Sequence, residues 1–98
     1  MQAKKVFQGK IKTKKIQSYS LDHIIENSKF CNKEIDLLDI DVEGADYKVL
    51  LGLNFERYKP KLICVEIHNK NIKDDVIYKF LIKKSYVHIW SSVFSHLF

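Results

Sequence analysis

The sequence predicts an α/β fold in which a mostly parallel sheet packs against helices. Helical and extended segments alternate along the chain, and the two central extended segments lack a regular polar alternation, as in parallel sheets that are covered on both faces. The last two extended segments follow each other too closely for a helical crossover, so they are expected to pair antiparallel at one edge of the sheet.

Three segments have the apolar spacing of short amphipathic helices. SLDHIIENS (20–28) begins with Ser20, a suitable N-cap, and ADYKVLLGL (45–53) places its apolar residues on one face. DDVIYKFLIKK (74–84) opens with two aspartates and ends with two lysines, as the helix dipole favours. The apolar stripe of this last helix is predicted to comprise Val76, Ile77, Phe80 and Leu81.

Four further segments are predicted to be strands. Asn54 and Pro60 are expected to end the helical region between the first two, and Ser91-Ser92 is expected to form the turn of a closing hairpin. The strands are IDLLDIDV (35–42), KLICVEI (61–67), YVHIW (86–90) and VFSHLF (93–98).

Length and composition bound the class of protein. A chain of 98 residues with 46% hydrophobic and 30% charged residues fits one small globular domain, or part of one, and excludes wholesale disorder. No apolar run approaches the roughly 20 residues of a membrane span, and the basic start lacks the apolar core of a signal peptide. Cys31 and Cys64 are too few for a disulfide scaffold, and Cys64 is expected to be a reduced core residue. These features are typical of a cytoplasmic protein without a membrane partner.

The net charge of +5 is concentrated in the first fifteen residues, which contain six lysines and no acid, whereas the rest of the chain has a net charge of −1. Such a run usually solvates a terminus or protects an edge strand from unwanted pairing. An arm that binds nucleic acid or an anionic surface is the less favoured alternative. The lysines are Lys4, Lys5, Lys10, Lys12, Lys14 and Lys15.

Acidic residues stand where the two central strands end. Asp41 and Glu43 end the first strand, and Glu66 with His68 ends the second. Ligands of open α/β sheets bind outside the carboxyl ends of the strands, and neighbouring strands lie about 4.8 Å apart, so these side chains are expected to converge in one crevice. Carboxylates beside a histidine can act as a general base or as metal ligands, although polar strand ends can also be merely solvated.

The remaining polar residues of interest are expected to be structural. Asp39 projects in the same direction as Asp41, and pairing with a nearby lysine is favoured over a role in the site. His88 and His96 are expected to support the closing strands, and His23 is expected to be an exposed helix residue.

The segment from Ile35 to His68 is similar to the core of the FkbM family of S-adenosylmethionine-dependent methyltransferases, and the resemblance extends over residues 20–98. The closing SSVFSHLF also resembles the last strand of the family. The matching motifs are Ser20-Leu21-Asp22, Ile40-Asp41-Val42-Glu43-Gly44, Asp46 with Val49-Leu50, Pro60-Lys61 and Val65-Glu66.

The resemblance implies a Rossmann-like sheet and methyl transfer to a hydroxyl group of a sugar, glycan or other small metabolite. It places Asp41 beside the reactive end of the S-adenosylmethionine cofactor, nearest the chemistry. Glu43 would orient the following turn or contact the acceptor, with capping of the helix at Ala45 as the alternative. Glu66 and His68 would line the acceptor side, and no metal ligand is implied.

The sequence departs from the family in lacking a glycine-rich turn: its three glycines, Gly9, Gly44 and Gly52, form no G-x-G. We therefore expect a single partial methyltransferase domain, with a basic segment at 1–19 and the C-terminal half of the fold at 20–98. The isolated chain is expected to be inactive without a separate N-terminal half. Its unpaired edge at 35–42 is expected to promote self-association, unless the lysine-rich segment folds back as VFQGKIK and covers it.

Two alternatives come from other functional classes. The chain can be a non-catalytic remnant or interaction module that keeps the fold without the activity. Less favoured is a metal-dependent nuclease, since a carboxylate at one strand end and Glu66, His68 and Lys70 after the next only loosely match the Asp…Glu-x-Lys pattern of such enzymes. In that case the basic segment would contact phosphate.

Overall fold

The structure is a computed structural model and describes residues 13–98. In these residues a four-stranded mixed sheet carries the helices and the hydrophobic core on one of its faces. Expectations about the first twelve residues lie outside the described part of the chain.

The predicted alternation of helices and strands is confirmed, with one additional short helix. The longest helix has eight residues, and none in the described part is long and apolar enough to cross a membrane. In chain order the elements are α1 (Leu21–Glu26), β1 (Leu37–Asp39), α2 (Asp46–Leu51), α3 (Phe55–Tyr58), β2 (Leu62–Glu66), a 3-10 turn (Ile72–Asp74), α4 (Val76–Lys83), β3 (Trp90–Ser91) and β4 (Ser95–Leu97).

The strands lie in the order β1-β2-β4-β3. β1 pairs parallel with β2, and β4 pairs antiparallel with both of its neighbours. Three of the four strands therefore run in one direction, and the closing hairpin forms one end of the sheet, as predicted. In this register Leu38 lies opposite Ile63, and Val65 lies opposite His96.

Some predicted boundaries are corrected. The strand predicted over residues 35–42 is reduced to β1, because its last ladder bond runs from the Ile40 N–H to the Cys64 carbonyl (2.9 Å) and the chain then turns away. Asn54 begins a helix instead of ending one, since its side chain accepts hydrogen bonds from the backbone of Glu56 and Arg57 at the start of α3. The hairpin turn lies at residues 92–94, one position later than predicted.

Only one face of the sheet is covered within the described residues, so the prediction of burial on both faces is wrong there. Ile63 and Val65 are buried in the core beneath the helices, whereas Leu62 and Leu37 point to the other face, and Leu37 is 54% exposed. Cys64 lies on the same open face and is half-buried, not a core residue. Val76 is also exposed, because α4 buries Ile77 and Leu81 instead.

An aromatic cluster closes the core near the start of β2. The ring of Phe55 packs edge-on against Phe80 and Tyr86, with centroids 5.5 and 6.1 Å apart. The Tyr86 hydroxyl donates a hydrogen bond to the Pro60 carbonyl, and burial raises the pKa of Tyr86 to about 12. These contacts fix α3 and α4 against the segment that leads into β2.

The first helix is anchored to the end of α2 by Asp22. Its N–H donates to the Gly52 carbonyl (3.0 Å), and its Oδ1 accepts a hydrogen bond from the Asn54 N–H (2.6 Å). A Cβ atom on Gly52 would lie only 3.3 Å from the Cβ of Ser20, so glycine permits this close approach. The Ser-Leu-Asp motif therefore positions α1 beside α2, and His23 on α1 is exposed, as predicted.

Two histidines meet at the closing strands. His96 is 4% exposed, and its Nδ1 lies 3.1 Å from Nε2 of His88. Burial, and secondly the neighbouring His88, lowers the pKa of His96 below its ordinary value of 6.5. The geometry agrees with the expected structural role of this pair.

We predict that acid destabilises the fold through His96. As the pH falls below 6.5, the unfolded chain binds a proton at this residue before the folded chain does, so the free energy of unfolding decreases until the lower folded-state pKa is passed. Urea unfolding between about pH 7 and about pH 5 should show a smaller decrease for His96→Gln than for the wild type. His23→Gln, at the exposed helix position, should keep the wild-type dependence; identical profiles for all three proteins would contradict the assignment.

Candidate functional site

A tight turn connects β1 to α2. Glu43 and Gly44 both adopt positive φ angles, 49° and 91°, and the Ala45 N–H donates to the Val42 carbonyl (3.3 Å). Glycine adopts this backbone region freely, whereas a residue with a side chain does so at a cost. The Asp-Val-Glu-Gly motif thus reverses the chain immediately after the carboxyl end of β1.

A buried carboxylate joins this turn to the neighbouring strand. Asp46, the first residue of α2, is 3% exposed, and its Oδ2 accepts a hydrogen bond from the Glu66 N–H (3.2 Å). Its Oδ1 has no hydrogen-bond partner among the described residues. In the sequence Asp46 is recognisable only as part of a motif, and its burial follows from the packing of α2 against β2.

A cavity of about 270 Å³ lies where β1, β2 and β4 come together. Asp41 and Glu66 both line it, so the structure places these two predicted site residues together at the carboxyl ends of adjacent parallel strands. Ser95 on β4 completes the polar lining and was not identified from the sequence, because only strand pairing brings it opposite Glu66. The other lining residues are Asp39, Ile40, Cys64 and Val65.

The two other predicted site residues lie outside this lining. His68 packs against the Phe94 ring with centroids 4.5 Å apart, and its Nε2 is 4.0 Å from Oε1 of Glu66, so it flanks the cavity. Glu43 is exposed on the turn. It does not cap α2, because the N-cap position belongs to Ala45 and carries no side-chain hydrogen bond.

Asp39 is placed differently from the favoured prediction. No lysine among residues 13–98 pairs with it, because Lys61 at the other end of the strands engages Glu34 and Asp36, at 3.2 and 3.3 Å. Asp39 instead lies beside Cys64 on the neighbouring strand. The pKa of the Cys64 thiol is raised, mainly by burial and secondly by the negative charge of the Asp39 carboxylate. Asp39 therefore adds a further carboxylate to the cavity.

A larger, mostly apolar cleft of about 620 Å³ adjoins the small cavity. It lies between the segment that enters α1, the strand β1 and the helix α2, and it shares Asp39, Ile40 and Asp41 with the small cavity. Asp41 thus stands between a polar and an apolar space. Within residues 13–98 no group of three or more His, Cys, Asp or Glu side chains is arranged to hold a metal ion.

The family model for the methyltransferase FkbM domain matches residues 1–94. The chain therefore belongs to the FkbM methyltransferase family, as its motifs indicated. Comparison with curated proteins and comparison with solved structures gave no match. Of the residues that line the small cavity, all except Ser95 lie within the matched region.

We predict that the turn after β1 is strained at Glu43. Because its φ is 49°, Glu43→Gly should raise the free energy of unfolding by about 0.5–1 kcal/mol, whereas Glu43→Val should lower it. Glu43→Ala is the matched control, since it removes the carboxylate without relieving the backbone. Urea unfolding of the three variants measures the effect, and a loss of stability in Glu43→Gly would show that the carboxylate itself is stabilising.

Proposed function

We propose that this chain supplies the acceptor side of an S-adenosylmethionine-dependent methyltransferase that acts on a hydroxyl group of a sugar or other small metabolite. The observation that carries the proposal is the pair of carboxylates, Asp41 and Glu66, on one cavity at the carboxyl ends of parallel strands within the matched domain. This is the position at which open α/β sheets bind their ligands.

Asp41 is the proposed catalytic residue. A hydroxyl group becomes a better nucleophile when a carboxylate accepts its proton, and Asp41 lines the cavity and is exposed, so an acceptor can reach it. Glu43, on the adjoining strained turn, is proposed to help orient the acceptor. Both roles require the acceptor hydroxyl to be held within hydrogen-bond distance of the carboxylate.

Glu66 and His68 are proposed to bind the acceptor. The Glu66 side chain is 31% exposed, and its backbone is fixed by Asp46, so its position at the end of β2 is well defined. His68 flanks it and is supported from one side by the Phe94 ring. A carboxylate, an imidazole and the nearby Ser95 hydroxyl offer the hydrogen-bonding groups that a polyhydroxylated acceptor needs.

The donor, S-adenosylmethionine, supplies an activated methyl group when bound, but the described residues do not by themselves fit it. Gly52 is packed against Ser20 and Leu21, and the open position at Gly44 is a single glycine without a second one nearby in sequence. We propose that Asp41 borders the donor and that the glycine-rich turn comes from a separate polypeptide segment that forms the N-terminal half. The lack of a G-x-G motif equally supports the alternative that the chain is a non-catalytic remnant or an interaction module.

We predict that this chain alone does not bind S-adenosylmethionine in the micromolar range, because no glycine-rich turn allows its backbone to approach the ligand closely. Isothermal titration calorimetry with the 98-residue chain is the measurement. Micromolar binding would contradict the proposed division of the cofactor site, although not the assignment of the acceptor side.

We predict that Asp41→Asn reduces methyl transfer by about 10²–10⁴-fold when the chain is combined with a polypeptide that carries the glycine-rich half of an FkbM domain. Transfer of a labelled methyl group to a panel of sugars is the assay. Asp22→Asn is the matched control, since it also replaces an aspartate by asparagine and keeps an oxygen that can accept the Asn54 N–H. Equal activity of the two variants would place the chemistry elsewhere, and a stable complex without any transfer would favour the non-catalytic alternative.

A further inference from the structure

The charge of the small cavity is one-sided. Three carboxylates, Asp39, Asp41 and Glu66, line it, whereas no lysine or arginine of the described part of the chain does. The one basic side chain found within ion-pair distance of them there is His68, whose Nε2 lies 4.0 Å from Oε1 of Glu66. Lys48 lines the adjoining apolar cleft but forms no ion pair with either aspartate. The cavity therefore has an excess of negative charge.

A fourth carboxylate lies directly behind the lining. Asp46 is 3% exposed, and its Oδ2 accepts the hydrogen bond from the Glu66 N–H at 3.2 Å. Its Oδ1 has no hydrogen-bond partner among the described residues. Because a buried charge is screened by solvent much less than an exposed one, Asp46 adds to the negative potential at the Glu66 end of the cavity.

The thiol of Cys64 lies in the same cavity and responds to this charge. Its pKa is raised mainly by burial and secondly by the Asp39 carboxylate, with a smaller contribution from Glu66. Negative charge that disfavours a thiolate also disfavours any other anion at this place and favours a cation. A ligand that carries a phosphate or a carboxylate is therefore repelled by the cavity.

The positions of two carboxylates suit one small cationic group. Asp39 pairs with Cys64 in the sheet, and Glu66 lies two residues further along β2, so both acids project from the same face. The strand spacing and the rise per residue place their Cα atoms roughly 8 Å apart. An ammonium group between the two side chains can donate hydrogen bonds to both of them.

An aromatic ring stands at the rim of the cavity. Phe94 precedes Ser95, which lines the cavity, and its ring packs against His68 while remaining 48% exposed. The face of an aromatic ring attracts a cation within about 6 Å of its centroid. This ring is independent of the carboxylates and favours a ligand of the same charge.

We propose that the methyl acceptor carries a protonated amino group, as an amino sugar or an amino alcohol does, and that Asp39 and Glu66 bind this ammonium. The inference rests on the proposed function and narrows its acceptor from any small hydroxylated metabolite to a cationic one. Asp41 remains available for the acceptor hydroxyl. A metal ion is not the favoured cation, because the described side chains include no group of three ligands arranged to hold one.

NMR titration of the complete chain, without S-adenosylmethionine, tests the preference for a cation. D-Glucosamine, D-glucose and D-glucuronate share a six-membered ring and differ in charge. Glucosamine should shift the Glu66 and Ser95 amide signals with a dissociation constant at least about tenfold below that of glucose, because hydrogen bonds to charged groups are the stronger ones. Glucuronate should bind most weakly of the three. The preference should decrease at about 1 M salt.

Neutral isosteres provide the matched comparison. Asp39→Asn and Glu66→Gln preserve the shape of the cavity and remove one charge each, so each should reduce the preference for glucosamine over glucose by about threefold to tenfold. Glu56→Gln makes the same change of charge at an exposed position of α3, outside the cavity, and should leave the preference unchanged.

Three results would overturn the inference. The first is binding of glucose or glucuronate that is as tight as that of glucosamine. The second is the absence of shifts at Glu66 and Ser95 with all three sugars. The third is a preference that neither isostere alters; where a variant fails to fold, the comparison of the three sugars with the wild-type chain decides.

Methyl transfer by the chain combined with a glycine-rich half separates this inference from the proposed function. Transfer to neutral sugars that is as fast as transfer to glucosamine would contradict the inference and leave the proposed function standing. Preferential binding of glucosamine without transfer to any acceptor would contradict the proposed function, while the preference of the cavity for a cation would stand.

Discussion

The hydrogen bond from the Glu66 N–H to the buried Asp46 carboxylate holds the candidate site together. It ties the first turn of α2 to the carboxyl end of β2, and the turn that precedes α2 carries Asp41 and Glu43. Burying a carboxylate is costly unless its oxygens are hydrogen-bonded, so this contact constrains where the helix can begin. The parallel pairing of β1 with β2 brings Asp41 and Glu66 to one cavity, and this hydrogen bond fixes the start of α2 beside them.

The sheet is asymmetric in both packing and charge. The helices and the core lie on one face, while Leu37, Leu62 and Trp90 remain accessible on the other face or at its margin. At the amino end of β1, Lys61 forms ion pairs with Glu34 and Asp36. The acids at the carboxyl end have no such partner among residues 13–98, so their negative charge faces the cavity. Positively charged groups are attracted there, whereas anionic groups are repelled.

Membership of the FkbM methyltransferase family and the lack of a glycine-rich turn fit together if the acceptor and donor sites come from different segments. Among the residues that the family motifs provide here, Asp22 anchors α1 to the end of α2, Asp46 ties α2 to β2, and Asp41 and Glu66 line the small cavity.

The sequence by itself determined the alternation of elements, the parallel pairing of the two central strands, the antiparallel hairpin at the end and the family. It also predicted that Asp41 and Glu66 lie at neighbouring strand ends, since these features follow from local periodicity and from the general rule for ligand sites in α/β sheets. It did not predict the single covered face, the capping role of Asn54 or the burial of Asp46. Nor did it place Ser95 in the cavity, and it favoured a lysine partner for Asp39 that the structure does not show among residues 13–98. These features were decided by the tertiary structure, because each depends on which residues distant in the chain pack together. The periodicity of a sequence predicts whether a residue is buried or exposed, but it does not predict which residue packs against it.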